Sequence, residues 1–162
     1  MDSIDYVKAI DDYYQNLGYP AYDWTVNETT PFAPLIKLLA ECRVSMLTSG
    51  GISHRTRPPF NPTAKNDLRV DDVDHQSDAK DFEINDAYCD TRSAVDDLNV
   101  VFPIERLREL AESNVIGSVA ERLWSGFMGR TYNRSDVIEE AAPALVEELK
   151  NDEVDLLILV PA

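Results

Sequence analysis

The stretch that most limits what this chain can fold into is its last, Val154-Asp-Leu-Leu-Ile-Leu-Val-Pro-Ala162. All of residues 154–160 except Asp155 are apolar, and no polar residue alternates with them. A short apolar run without alternation reads as a strand buried on both faces, as in a parallel sheet. Residues 135–150 read as a helix. Val137, Ala141, Leu145 and Leu149 form one stripe, Ser135 or Asp136 is a good cap, Glu139-Glu140 suit the start and Lys150 the end. Helix followed by buried strand is the second half of a βαβ unit. In open α/β sheets the chemistry gathers beyond the carboxyl ends of the strands. Here that end is also the end of the sequence, so the chain is expected to stop where a site begins.

The 162 residues are enough for one domain with a real core. The formal net charge of −15 argues against nucleic acid and anionic membrane as partners, since phosphate contacts need clustered Lys and Arg. It fits a halophilic source or simply a very soluble protein. The start, Met1-Asp-Ser-Ile-Asp5, is acidic and has no targeting character. A cytoplasmic protein is expected. Cys42 and Cys89 form no CxxC pair and no disulfide framework, and His54 and His75 are too few for the common Zn sites.

Taken in order, residues 2–17 read as an amphipathic helix with Ile4, Val7, Ile10 and Tyr14 on one face, stopped near Gly18 and Pro20. Tyr13, Tyr14, Tyr19, Tyr22 and Trp24 suit an N-terminal arm anchored on a core better than a ligand platform. This arm, residues 1–30, precedes an α/β domain, residues 31–162. Within the domain, 35–42 is expected as a short helix and 43–47 as a central strand. A long basic loop follows over 52–66, then an edge strand within 67–74, a turn at 76–81 and a short strand at 82–84. A helix opens at Pro103 with Ile104, Leu107, Leu110 and Ala111 buried. Residues 115–128 read as a short helix and a glycine-flanked loop.

Three places carry chemistry. The central strand runs into Thr48-Ser-Gly-Gly51, where two glycines permit a close backbone approach and exposed amides suit a carboxylate or phosphate. A plain strand-to-loop turn is the commoner meaning of such a sequence. The basic loop holds the one positive cluster, Arg57 among it, fit either to grip an anion or to sit solvated. Asp90, Asp96 and Asp97 are oxygen ligands at no EF-hand spacing, and capping chemistry is preferred to a metal there. Ser125 lies outside a GxSxG elbow, because Leu123 takes the first glycine's place.

Several stretches together resemble one family. They are Arg43-Val-Ser-Met-Leu-Thr-Ser-Gly-Gly51 with Pro58-Pro59-Phe60; Asp67-Leu-Arg69; Asp97-Leu-Asn-Val-Val-Phe-Pro-Ile-Glu-Arg-Leu-Arg-Glu-Leu110 with Ile116-Gly117; and Phe127-Met-Gly129. With the closing strand they are similar to the glycine/sarcosine/betaine reductase selenoprotein B and D-proline reductase proline-binding subunit family. The resemblance implies reductive cleavage of a C–N bond in an amino-acid or betaine-like substrate, with thiols as electron source. It also implies a selenocysteine or cysteine soon after the final strand, a strong nucleophile when its pKa is lowered. The chain ends at about that position. One expectation is therefore a reading frame cut at a UGA selenocysteine codon, or an amino-terminal fragment; the other is a short paralogue without redox chemistry. By the same resemblance, family members often carry histidines and a tyrosine just before the aspartate matching Asp90. Here Asp86, Tyr88 and Cys89 stand there, which weakens the case for acid/base work.

The resulting expectations are a Rossmann-like partial parallel sheet with flanking helices and an N-terminal helical arm, and a reductase or, alternatively, a non-catalytic binding or assembly subunit. Cys89 is the candidate redox residue, although the carboxylate of Asp90 beside it would raise a thiol's pKa and a structural thiol is the plainer meaning. Gly50, Gly51, Asp90, Asp97 and Asn99 are candidates to line the substrate site, with Arg57 and Arg69 for a substrate carboxylate. No metal or cofactor is expected. A homo-oligomer or a partner chain is expected to complete the sheet.

Overall fold

Strand β1, Arg43–Thr48, is the hub of the fold, and every strand paired with it runs parallel to it. The computed structural model describes residues 5–22, 26, 28–31, 33–87, 90–128 and 130–162. The chain divides into two compact units, Met1–Pro34 and Leu35–Ala162.

In the first unit, helix α1 spans Tyr6–Asn16 and is capped by the Asp5 carboxylate, which accepts from the Lys8 N–H at 3.1 Å. It ends at Leu17, before Gly18 at φ 87°. Tyr14 meets Tyr13 and Tyr19 edge to face, with ring centres 5.4 and 5.9 Å apart. Ile4 and Trp24 lie outside the described residues.

The second unit contains β1, β2 (Ile52–His54), β3 (Val70–Asp74), β4 (Phe82–Ile84), α2 (Arg92–Asp96) and α3 (Ile104–Glu112). These are followed by β5 (Ser118–Val119), β6 (Arg122–Gly126), α4 (Arg134–Asp136), a π turn over Val137–Ala141, α5 (Ala142–Asn151) and β7 (Leu156–Val160). On one edge β1 pairs in parallel with β7, from Val44 against Leu156 to Thr48 against Val160. Its other edge takes β5 at Val44 and Val119, then β6 at Leu47 and Trp124. β3 closes that side antiparallel to β6, from Val70 against Gly126 to Asp74 against Arg122. β2 and β4 form a separate antiparallel pair.

Side chains alternate between the two faces. Val44, Met46, Val73 and Leu123 pack with Ile52, Phe82, Phe102 and the Ile104 and Leu107 of α3. Leu47, Val70, Trp124 and Leu157 pack with Leu145 and Leu149 of α5. A mostly parallel sheet with helices on both faces is the result. Each buried leucine contributes roughly 1.5–3 kcal/mol. The helical segment that supplies the second face contains Pro143, which has no N–H for the preceding turn. The π turn stands immediately before it, where such a helix must widen.

The structure departs from the sequence reading in four places. Residues 52–54, read as the start of the basic loop, form β2, paired with β4. β7, read as buried on both faces, pairs with β1 alone among the described residues and is only partly buried, with Leu159 64% exposed. Residues 115–128 form β5 and β6, not a helix. Ile116, Val119 and Leu123 have helical spacing, but Leu123-Trp-Ser-Gly126 is buried throughout between β1 and β3. Tertiary pairing overrides the local pattern there. Gly126 permits that fit, because a β-carbon on it would lie 2.7 Å from the Arg69 carbonyl oxygen. Residues 35–42 give a single 3₁₀ turn, Leu39–Glu41, between extended Leu38 and Cys42. Eight residues are too few to hold a helix without packing, and Leu35, Ile36 and Leu38 are exposed.

Candidate functional site

The carboxyl ends of β1, β6 and β7 come together at Thr48-Ser-Gly-Gly51. The Ser49 N–H donates to the Val160 carbonyl at 3.2 Å, and the Ala162 N–H donates to the Ser49 hydroxyl at 3.1 Å. The buried Thr48 hydroxyl donates to the Val101 carbonyl at 2.7 Å and accepts from the Gly50 N–H at 3.1 Å. Thr48 thus ties the turn to the segment after α2. Gly51 has φ 65°, and its carbonyl accepts from the Asn85 N–H at 2.9 Å. A β-carbon on Gly51 would stand 2.4 Å from the Asn85 carbonyl oxygen. Only glycine combines that backbone with that contact.

Two polar groups near this turn lack partners among the described residues: the Asn85 side-chain amide nitrogen and the Ser125 hydroxyl, both buried. Ser125 sits directly opposite Thr48 across the parallel ladder. Neither carries any local sequence signal, and only the sheet pairing and the Gly51–Asn85 bond bring them here.

Gly50 and Gly51 are buried in the turn. Arg57 is committed to Asp72 at 3.0 Å. Arg69 donates to Asp71 at 2.8 Å and to the Pro58 carbonyl at 2.7 Å, with its guanidinium 4.2 Å over the Phe60 ring. Both arginines therefore clasp the basic loop to β3. Asp90 is exposed and accepts from Arg92 Nε at 2.8 Å, and the Arg92 side chain holds its carboxyl below the usual 3.8. Asp97 accepts from the Asn99 N–H at 3.0 Å and from its side-chain amide at 2.9 Å, which likewise lowers its pKa. Asn99 in turn accepts from the Glu105 N–H at 3.2 Å and donates to the Glu105 carboxylate at 2.8 Å, capping α3. Cys42 is a buried core thiol donating to the Leu38 carbonyl at 3.3 Å. Cys89 lies outside the described residues. Among those described, no three His, Cys, Asp or Glu side chains assemble as a metal-binding group.

A cavity of about 450 Å³ opens between β4 and α2, with Phe82, Ile84, Ala94 and Leu98 in its walls beside Arg55, Glu83 and Asp96. Sequence reasoning missed it, because its two walls, whose nearest lining residues Ile84 and Ala94 are ten positions apart, meet only in the fold.

A mostly parallel sheet with helices on both faces, and a glycine turn at its strand ends, defines an α/β domain of the kind that holds ligands at that edge. The chain belongs to the glycine/sarcosine/betaine reductase selenoprotein B family, whose model matches residues 13–162. It is similar to D-proline reductase subunit gamma of Acetoanaerobium sticklandii, at 27% identity over 128 residues, which is 79% of this chain and 52% of the relative. The chain thus spans about half the length of that curated relative. No solved structure matches it. Among the described residues no helix is long and apolar enough to cross a membrane.

Proposed function

We propose that this chain is a subunit of a thiol- or selenol-dependent reductase that cleaves the C–N bond of an amino-acid or betaine-type substrate. The observation that carries the reading is the pair of bonds tying Ser49 to Val160 and Ala162. They bring the end of β7 beside Gly50 and Gly51, where a thiol or selenol following that strand meets a ligand held on the turn. A dithiol supplies two electrons and two protons. The C–N bond becomes a C–H and an N–H, and the dithiol becomes a disulfide. The sheet serves as a Rossmann-like half, residues 31–162, preceded in the sequence by an N-terminal arm, residues 1–30. β7 offers its outer edge to a second copy or a partner chain in the cytoplasm.

A second reading is a binding or assembly subunit without redox chemistry. It is favoured by the commitment of Arg57, Arg69, Asp97 and Asn99 to internal partners. Dithiothreitol-dependent turnover of D-proline, glycine and betaine separates the two. Turnover abolished by Cys89→Ser places the redox residue within these residues. Ligand binding without turnover selects the second reading.

A further inference from the structure

We propose that the hollow between α5 and the β3–β6 pair is a binding site for a small neutral molecule, mostly apolar and carrying one hydrogen-bond acceptor such as a carbonyl oxygen. The site begins with the helix. Ala141, Ala144, Leu145 and Glu148 fall at steps of three and four and share one stripe. A helix stripe laid on a sheet ordinarily fills with large apolar side chains. Here two of its four places hold only a methyl group. Ala141 also ends the π turn, a helix form that recurs at functional sites. Opposite stand Leu68, Val70 and Trp124, and between the two walls a volume of about 260 Å³ stays open. Trp124 is 5% exposed, and its buried indole N–H meets no acceptor among the described residues. A buried donor left alone in a native protein calls for a partner.

The rest of the lining narrows the ligand. Leu68, Val70, Leu145 and the two alanines have no polar side-chain atom. The one charged lining group, Glu148, is paired with Arg122 at 2.7 Å. Glu148 and the net charge of −15 turn an anion away, and a cation finds that carboxylate already engaged. One placed donor in an apolar recess is the ordinary make-up of a small-molecule site. The volume lies just under the roughly 300 Å³ at which pockets for drug-sized ligands begin, so it suits a single small ring. No residue of the glycine turn lines the hollow. Its occupant is therefore a second ligand, and the site does not depend on the reductase reading. Trp124 precedes Ser125, which lies opposite Thr48 in the ladder. An occupant thus touches the strand that supports the turn without entering it, which is the position of an effector.

The test is NMR of the full chain with indole N–H and methyl groups labelled, in a Trp24→Phe background so that Trp124 gives the one indole signal. The probes are cyclohexanone and methylenecyclohexane, which has the same shape without the oxygen. Cyclohexanone is expected to move the Trp124 N–H signal downfield together with the methyls of Val70 and Leu145. Methylenecyclohexane is expected to move the methyls alone. Trp124→Phe keeps a ring and removes the donor, and is expected to weaken cyclohexanone about fivefold relative to methylenecyclohexane. Ala144→Leu fills the hollow from an exposed helix position, and is expected to abolish binding of both probes with the rest of the spectrum kept. If Trp124→Phe does not fold, the indole signal and Ala144→Leu decide. No methyl shift with cyclohexanone, or shifts that persist in Ala144→Leu, overturn the site. Methyl shifts that leave the indole signal in place overturn the assignment of an acceptor-bearing ligand. An indole signal already downfield before any probe is added means that internal water serves the N–H, and overturns it as well.

Discussion

Arg122 holds both carboxylate oxygens of Asp152, at 2.8 and 2.7 Å, while its guanidinium lies 5.0 Å over the ring of Trp124. Glu148 joins the same guanidinium at 2.7 Å. The cluster fastens α5 to β6 on one face of the sheet and drives the arginine's pKa still further up, Asp152 being the first cause. Arg122→Ala should cost about 2 kcal/mol, the range for a two-pronged charged hydrogen bond with a stacked ring. Urea unfolding checks this. An unchanged midpoint would show the cluster to be ornamental to stability.

The two glycines of the turn should respond differently. Gly51→Ala combines a left-handed backbone with a 2.4 Å approach to the Asn85 oxygen, so a loss of about 3 kcal/mol or more is expected. A β-carbon on Gly50 meets nothing nearer than 3.2 Å, and the Gly50→Ala variant should fold with a loss of about 1 kcal/mol. Thermal melts of the two variants give the comparison.

Asn99 is a cap in this fold. Asn99→Ala should lower stability by about 1–2 kcal/mol through the freed Glu105 N–H, and Asp97→Ala should do the same more mildly through the Asn99 N–H. D-proline binding by the folded fraction should stay as in the wild type. A binding loss beyond the unfolded fraction would return both residues to the substrate site.

Acid should act through Asp155. Its carboxyl is held below the ordinary 3.8, first by the Lys37 ammonium at 2.6 Å and next by the Arg43 N–H at 2.9 Å. A carboxylate with a lowered folded-state pKa contributes stability above its unfolded value and loses it as pH falls through the folded one. The stability gap between wild type and Asp155→Asn should therefore be constant near neutrality and close below 3.8. Denaturation midpoints taken down to about pH 2.5 read it directly. A gap that survives there would mean that shape, not charge, makes Asp155 useful.

What a sequence displays depends on whether a residue's partner is near it in the chain. β7 shows itself as a strand by its run of apolar residues, although it lies half-exposed at the sheet edge and not buried on both faces, and α3 shows itself by Ile104 and Leu107 one turn apart. β6 does not. Its Leu123-Trp-Ser-Gly126 becomes a strand because β1 and β3 stand on either side of it, and those neighbours come from far earlier in the chain. The same holds around the turn. The glycine pair at 50–51 announces an unusual backbone, but Asn85 and Ser125 are ordinary residues until the fold buries them. Arg57 reads as a free cation because Asp72 reaches it only once β3 is in place, and Arg69, although Asp71 is two residues away, is tied to the loop by a Pro58 carbonyl that only the fold brings near.

The arrangement around β1 also orders events during synthesis. Its contact with β6 closes over 77 residues, from Ser45 to Arg122, and its contact with β7 over 112, from Arg43 to Asp155. Loop-closure entropy separates the two by only about 0.3 kcal/mol, too little to set a sequence of folding steps. The ribosome sets it instead. β6 emerges first and covers one side of β1, while the other side stays bare until β7 clears the exit tunnel. Through that interval the nascent chain presents an open apolar strand edge, the kind of surface that chaperones bind and that crowded translation turns into aggregates.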